Sequence, residues 1–368
     1  PPPTPPAEQP PTTIAASPSE PARLTALASA DPVSTVEPGS SPAVTGPEQR
    51  PSLRFLAVGD IMLSRRVAQA MAQRGDLLLP FGPLATRLTA VDFTFGNLES
   101  PFSSSDRFSI GPAHNFNTPP AHIQGLVEHR VSVLSLANNH ALDQGVAGLR
   151  FTLGHLDDHN IHHVGAGMDH AAAWLPAVME RHGIRVGFLG ASYAAVNDGG
   201  QSRNPYVARI DQRRQLRATI TALRPKVDYL VVAMHAGREY LEQIDDAQRG
   251  FARQAIDLGA DVVFGSHPHV AQAVEIHRGK PIFYSLGNFI FDHEPLATRQ
   301  GLMVDTTLRA TEAADGSISG AVVERMELSV VIIENRSTPR PATVAEASTV
   351  LERIGVKHPV ILPQETGS

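Results

Sequence analysis

From Leu53 onward the chain repeats one pattern: a short apolar run, a small polar cluster at its end, then an amphipathic or polar stretch. The first run is Leu53-Arg54-Phe55-Leu56-Ala57-Val58, and similar runs occupy residues 92–95, 131–137, 185–189, 227–234, 261–264 and 281–286. Apolar runs of this length, bounded by turn residues, are the pattern of buried strands. Between them, residues 65–73 place Val67, Ala70 and Met71 on one helical face, and residues 212–223 and 245–258 are equally amphipathic. Strand alternating with helix predicts an α/β fold of βαβ units around a largely buried sheet. From about Leu302 the period changes to two, in residues 302–308 and 321–333, without intervening helices. These segments predict a hairpin that closes the sheet rather than a new domain. Residues 343–354 predict a short terminal helix, with a polar tail after it. No internal repeat is visible.

The polar clusters at the run ends carry the chemistry. They are Gly59-Asp60, Gly96-Asn97-Leu98-Glu99, Asn138-Asn139-His140, Met234-His235-Ala236-Gly237, Gly265-Ser266-His267-Pro268-His269 and Ser285-Leu286-Gly287-Asn288. Asp, Glu, Asn and His are the ligand types of a hard-to-borderline metal ion. In an open α/β sheet such groups gather in the crevice beyond the carboxyl ends of the strands. Six distant pieces of chain would therefore deliver oxygen and nitrogen ligands to one rim. Asp60, Asn97 and Glu99 read either as ligands or as ordinary turn residues. Asn139 beside His140 fits a ligand next to a general acid. His235 ends an otherwise apolar strand. His267 and His269, held apart by Pro268, can address two adjacent ions. Asp143 and Gly145 read as helix capping and loop geometry. His114 reads either as part of a loop overhanging the site or as a residue with no role there, and His159, His162 and His163 are expected on the surface of a polar connection. Ser192, Ser266 and Ser285 have no evident base partner.

Composition narrows the function. The 368 residues carry 31 Lys+Arg against 37 Asp+Glu, a formal charge of −6, which argues against a nucleic-acid partner. An anionic substrate stays open, because a metal supplies local positive charge. There is no cysteine, so disulfides, thiolate sites and cysteine nucleophiles are excluded together. No apolar run approaches the roughly 20 residues of a membrane span. Residues 1–51 hold 14 of the 30 prolines and no aromatic, a composition that cannot bury enough apolar surface to fold. Residues 1–52 are expected to be an extended stalk or a dispensable tail, 53–335 the functional domain, and 336–368 an extension with a short helix and polar tail. A chain beginning at Pro1 is expected to follow an export signal or anchor, giving an extracellular or cell-surface protein.

In their order the motifs resemble the CapA/PgsA family of poly-γ-glutamate capsule synthesis proteins over residues 53–333. The resemblance lies in Val58-Gly59-Asp60-Ile61-Met62-Leu63, Asn97-Leu98-Glu99, Ala137-Asn138-Asn139-His140, His235-Ala236-Gly237-Arg238-Glu239-Tyr240, Gly265-Ser266-His267-Pro268-His269-Val270 and Ser285-Leu286-Gly287-Asn288-Phe289-Ile290. That family is itself similar to the calcineurin-like metallophosphoesterases, which implies a four-layer αββα sandwich and one or two divalent ions (Mn, Fe, Zn or Mg). By that resemblance Asp60 is the first-strand carboxylate ligand, and Glu99 or Asn97 the bridging group. Asn139 is the amide ligand and His140 the leaving-group acid. His235 and His267 serve the second ion and His269 the first. Arg238 is expected to clamp an anion, and Glu239 to orient His235 or contact substrate. Met62 stands where metallophosphoesterases have a histidine, and a thioether is a poor ligand for such ions.

The resulting expectation is an exported, metal-dependent hydrolase of capsule or cell-envelope polymer synthesis. It would take an anionic polymer or phosphoester and work beside membrane-bound capsule synthesis subunits. The alternative is a non-catalytic polymer-binding or export accessory subunit on a degenerate metallophosphatase fold. A nucleotidase-like phosphatase would need an aromatic clamp that the sequence does not display.

Overall fold

A computed structural model describes residues 50–110, 114–193 and 204–358. The proline-rich stretch and the polar tail lie outside them. In chain order the first half runs β1 (Ser52–Ile61), α1 (Arg65–Arg74), α2 (Ala85–Thr89), β2 (Phe93–Leu98), α3 (Ile123–Glu128), β3 (Val131–Ser135), α4 (Gly145–Asp158), β4 (His162–Val164), α5 (His170–Ala173), β5 (Ala177–Arg181) and β6 (Ile184–Ser192). The second half runs α6 (Arg213–Leu223), β7 (Tyr229–His235), α7 (Asp246–Asp257), β8 (Val262–Ser266), β9 (Val274–His277), β10 (Lys280–Phe283), β11 (Asn288–Ile290), β12 (Gln300–Glu312), β13 (Ile318–Glu334), β14 (Thr338–Pro341) and α8 (Val344–Arg353).

The strands form two sheets. One is ordered β14-β13-β12-β1-β2-β3-β4, with β11 paired to the end of β1; the other is β5-β6-β7-β8-β10-β9. In the first, β1 to β4 are parallel, and the long β12–β13 hairpin adds antiparallel to β1. In the second, β6, β7, β8 and β10 are parallel, with β5 and β9 antiparallel at its edges.

Alternation along β1 shows why its sequence is apolar throughout. Leu53, Phe55 and Ala57 face the second sheet, packing with Phe188, Tyr229, Val231 and Phe283, while Leu56 and Val58 join the helix layer on the other side. A strand buried on both faces reads as a continuous apolar run. Val67 and Met71 of α1, Leu126 of α3 and Leu149, Leu153 and Leu156 of α4 cover the outer face of the first sheet. Leu216, Ile220 and Leu223 of α6 and Phe251 and Ile256 of α7 cover the second. The result is the expected four-layer αββα sandwich, with the hairpin closing one sheet.

Some elements were not foreseen. His162 and His163 lie on β4, an edge strand pairing with Val133 and Leu134, rather than in a polar connection. β14 extends the first sheet beyond the hairpin, inside a region expected to hold only a helix and tail.

Candidate metal centre

Gly59-Asp60 ends β1 where three strands meet: Asp60 is in register with Asn97 of β2 and Asn288 of β11. The approach requires glycine. A Cβ on Gly59 would lie 1.9 Å from the Gly287 carbonyl oxygen, which accepts the Asp60 N–H at 3.0 Å. Gly265 is used alike, its Cβ position lying 1.9 Å from the Tyr284 carbonyl oxygen. This draws the turn after β8 against the residues leading into β11. In that turn His267 (φ 97°) and His269 (φ 58°) both adopt left-handed backbone conformations. Such strain in non-glycine residues persists only where the surroundings enforce it. Here the Pro268 carbonyl accepts the Tyr240 N–H at 2.8 Å, and the His267 N–H faces Asp60 Oδ2 at 3.5 Å.

Among the described residues Asp60, Glu99 and His235 form a buried group whose ligand atoms all lie within 4.8 Å of one another. His269 joins them, with Nδ1 3.3 Å from Asp60 Oδ2 and Nε2 3.6 Å from Glu99 Oε1. The rings of His235 and His267 are 4.7 Å apart. Surrounding groups hold these side chains in place. Ser266 Oγ lies 2.9 Å from His235 Nδ1, Asn139 Oδ1 lies 2.8 Å from His235 Nε2, and Asn288 Oδ1 lies 2.9 Å from His269 Nδ1. Burial, and next the Asp60 charge, push the Glu99 carboxyl well above its usual range. Burial, with the neighbouring His267, holds His235 well below the usual histidine range. His267 is lowered to about 3, again chiefly by burial. His235 and His267 are therefore kept neutral, the form that binds metal.

Two polar atoms in the cluster are buried without a hydrogen-bond partner: Glu99 Oε1 and His267 Nδ1. Orphaned buried acceptors of this kind are costly unless something satisfies them. Carboxylate oxygen and imidazole nitrogen form the donor set of Zn, Mn or Fe. The residues fit a divalent cation.

Asn97 belongs to the cluster, but not in the ligand orientation that the sequence left open. Asn138 Nδ2 donates to the Leu98 carbonyl at 2.8 Å and to Asn97 Oδ1 at 3.1 Å. The Asn97 oxygen is thereby turned away, and its amide nitrogen faces Asp60 Oδ1 at 2.8 Å and Glu99 Oε2 at 3.4 Å. Met62 is buried in the apolar layer under the site, and its sulfur accepts the Ser64 N–H at 3.2 Å.

A cleft of about 520 Å³ opens above the cluster, lined in part by His114, Phe116, Asn139, His140, Glu239 and His269. His140 Nδ1 meets Asp143 Oδ2 at 2.7 Å, its Nε2 lies 3.9 Å from Glu99 Oε1, and its ring stacks on Phe116 at 4.0 Å. Asp143 is thus the partner of His140 and also accepts the Phe116 N–H at 2.6 Å, rather than capping a helix. The spacing of three residues from His140 was the available signal. His114 lines the cleft, which favours the overhanging-loop reading of its sequence position.

Arg238 is exposed and is not among the residues lining the cleft. The arginine in the wall is Arg65, paired with Asp292 and packed with its guanidinium 4.8 Å from the Phe116 ring centre and 5.7 Å from that of Phe291. No sequence pattern singled it out. Glu239 lies at the cleft, while the His235 ring nitrogens face Ser266 Oγ and Asn139 Oδ1. His293 adds a further imidazole to the wall, perpendicular to His269 at 4.8 Å and lowered to about 3, mainly by burial. Phe116 and Phe291 meet edge-on at 6.1 Å, so they do not leave a parallel slot for a flat base.

The family model described as "Bacterial capsule synthesis protein PGA_cap" matches residues 54–293. The chain belongs to this PGA_cap family. It is 33% identical over 256 residues to the PGA biosynthesis protein CapA of Bacillus subtilis, covering 68% of this chain and 67% of that protein. It is 30% identical over 279 residues to a probable polyglutamine synthesis accessory protein of Mycobacterium tuberculosis, covering 71% of this chain and 73% of that one. Among solved structures it is similar to the NAD nucleotidase of Haemophilus influenzae, at 12% identity and a TM-score of 0.45. That match covers 84% of this chain but only 56% of the nucleotidase. As a PGA_cap member the chain places every polar motif named above, except Arg238, at or beside one cluster.

Proposed function

We propose that this chain is a metal-dependent hydrolase acting on an anionic polymer or phosphoester in capsule or cell-envelope polymer synthesis, working outside the cytoplasm. The observation that carries the reading is the buried Asp60–Glu99–His235 group with its orphaned Glu99 and His267 atoms, set under a cleft that also holds a histidine–aspartate pair. Asp60, Glu99 and His235 would hold the ion, with His267 and His269 beside them. A divalent ion in that place supplies Lewis acidity, polarising a substrate oxygen and acidifying water toward pKa ~7.

The protein's own groups do the rest. Asp143 accepts the Nδ1 proton of His140, which fixes the tautomer and leaves Nε2 facing the cleft. Protonated, His140 delivers its Nε2 proton to the departing oxygen or nitrogen, and Asp143 stabilises the imidazolium. Phe116 keeps the ring from turning. Arg65, packed on two phenyl rings and paired with Asp292, stiffens the wall of the cleft. Ser266 and Asn288 orient His235 and His269, the work of partners just outside a ligand set. The proline-rich segment would act as a spacer from a membrane or wall, beside membrane-bound synthesis subunits. Among the described residues no helix is long and apolar enough to cross a membrane.

The test is hydrolysis of phosphomonoester, phosphodiester and γ-glutamyl substrates by metal-analysed protein. A metal-free wild type, with His140→Ala leaving every activity unchanged, would overturn the hydrolase reading. A second reading, a polymer-binding accessory subunit, is favoured by the Met62 sulfur being turned to a backbone donor. The mycobacterial relative's name also says accessory. It predicts poly-γ-glutamate binding that survives Asp60→Asn and His267→Ala.

A further inference from the structure

We propose that the substrate carries a protonated amino group near the bond that is cut, and that the Glu239 carboxylate receives it beside the Tyr240 ring. This rests on the cleft being the substrate site, as proposed above, and adds what the substrate must carry. Charge on the cleft wall is the first observation. Arg65 is matched by Asp292 and Asp143 by His140, whereas Glu239 has no ion pair among the described residues. Its carboxylate is exposed and lines the cleft, so the charge left over on that wall complements a cation.

A solvated surface carboxylate needs no scaffold, and Glu239 has one. It lies on the loop after β7, where Gly237 has φ 117° and a Cβ would stand 2.7 Å from Gln248 Nε2. Gln248 and Gln272 are fully buried polar side chains. Gln248 Nε2 donates to the Ala236 carbonyl and to Gln272 Oε1, both at 2.9 Å. Gln272 Nε2 in turn donates to the Leu241 carbonyl at 2.9 Å. The two amides thus grip the loop on either side of Glu239, and a satisfied buried network of this kind rigidifies what it holds.

Tyr240 is the third observation. Its φ of 65° is left-handed, and its N–H donates to the Pro268 carbonyl at 2.8 Å. Strain of this kind in a non-glycine residue collects at functional sites. It sets the ring in the cleft, with its centre 6.0 Å from that of His269 and 5.6 Å from that of His293. The hydroxyl is brought toward the Glu239 carboxylate, which it helps to orient. An aromatic face next to a fixed carboxylate is a pairing that holds an ammonium group, because the ring quadrupole and the carboxylate charge both attract it.

An amino group on a phosphoester or on an amide substrate would meet these groups alike, so two matched pairs of probes test the proposal. One is phosphoethanolamine against N-acetylphosphoethanolamine; the other is γ-glutamyl-4-nitroanilide against its N-acetyl derivative. Binding to full-length protein loaded with Mn²⁺ is measured by isothermal titration calorimetry, beside the metal content. The wild type is expected to bind the free amine roughly 10–100-fold more tightly than its acetylated partner, the effect of one charge-assisted hydrogen bond. Glu239→Gln is expected to lose that preference with its metal content unchanged. Tyr240→Asn removes the ring, suits a left-handed backbone and is expected to weaken the preference. Equal binding of amine and acetylated forms by a metal-loaded wild type overturns the proposal and leaves the metal-dependent reading intact. A preference that persists in Glu239→Gln overturns the role given to that carboxylate. A wild type that holds Mn²⁺ but binds none of the four probes at millimolar concentration overturns the proposal alone; one that neither holds Mn²⁺ nor binds a probe overturns both.

Discussion

At the scale of single residues the site depends on which atom each side chain turns toward the cluster. His140 and Asp143 make the sharpest case, because neither is useful without the other. Removing the imidazole in His140→Ala is expected to lower kcat by ~10²–10⁴-fold, the range for loss of a general acid, with metal content unchanged. Asp143→Asn keeps the ring but frees its tautomer, and the expected loss is smaller, roughly 10–100-fold, as for other orienting partners. Steady-state kinetics beside elemental analysis check both. A His140→Ala protein that loses its metal instead would make the residue a ligand. Much at this scale was legible in the sequence, since a polar side chain closing an apolar run has few structural reasons to be there. Asp60, Glu99, His235, His267 and His269 all lie in the cluster or against it. The partners were less legible. Arg65 and Asp292 are 227 residues apart and meet only because β11 pairs with β1. Asn97 carries the right type of side chain with its oxygen facing the wrong way, which no sequence reveals.

At the scale of elements, close backbone approach positions the ligands. Gly59→Ala would push a methyl group to 1.9 Å from the Gly287 carbonyl oxygen. Because the obstacle is backbone and cannot rotate away, the cost is expected at or above the top of the ~1–3 kcal/mol range for overpacking. Urea denaturation measures it, and a loss under ~0.5 kcal/mol would show that β1 and β11 are not held as close as described. The terminal helix offers a pH test. Thr343 and Glu346 form a capping box on α8, and Glu346 is lowered to about 2, first by its bonds with Arg340 and then by the Thr343 N–H. A carboxylate lowered on folding stabilises the fold fully above its ordinary value of 4.5 and loses that contribution as the pH falls toward 2. The stability gap between wild type and Glu346→Gln is therefore expected to be constant near neutrality and to shrink in acid. A gap independent of pH would contradict the pairing. Thr343→Ala is expected to cost about 1 kcal/mol, measured in the same way. The helices α1, α6, α7 and α8 were visible from their apolar faces, and the central strands from their continuous runs. The edge strands were not. β4 reads His-His-Val and β14 contains two prolines, because an edge strand faces solvent and needs neither a continuous apolar run nor every backbone donor.

At the scale of the whole molecule, two sheets packed face to face bring the carboxyl ends of β1, β2, β3, β7 and β8 to one rim, and segments more than 200 residues apart in the chain cooperate there. The alternation of strand and helix was predictable from the periodicity, and the site's location from the rule for strand ends. The second sheet as a separate layer came from the family resemblance, since periodicity alone does not say where one sheet stops. Linkage ties the site to global stability. At a free ion concentration a hundredfold above Kd, metal should stabilise the fold by about 2.7 kcal/mol, so chelation should lower Tm and re-addition restore it. The shift should be absent in Asp60→Asn. The central claim, that distant side chains converge to cage a cation, is tested most directly by elemental analysis of untagged protein purified without chelator, beside Asp60→Asn and Glu99→Gln. A stoichiometric divalent ion in the wild type, lost from both variants, is the predicted result. A metal-free wild type, or variants retaining the ion in full, would contradict the account.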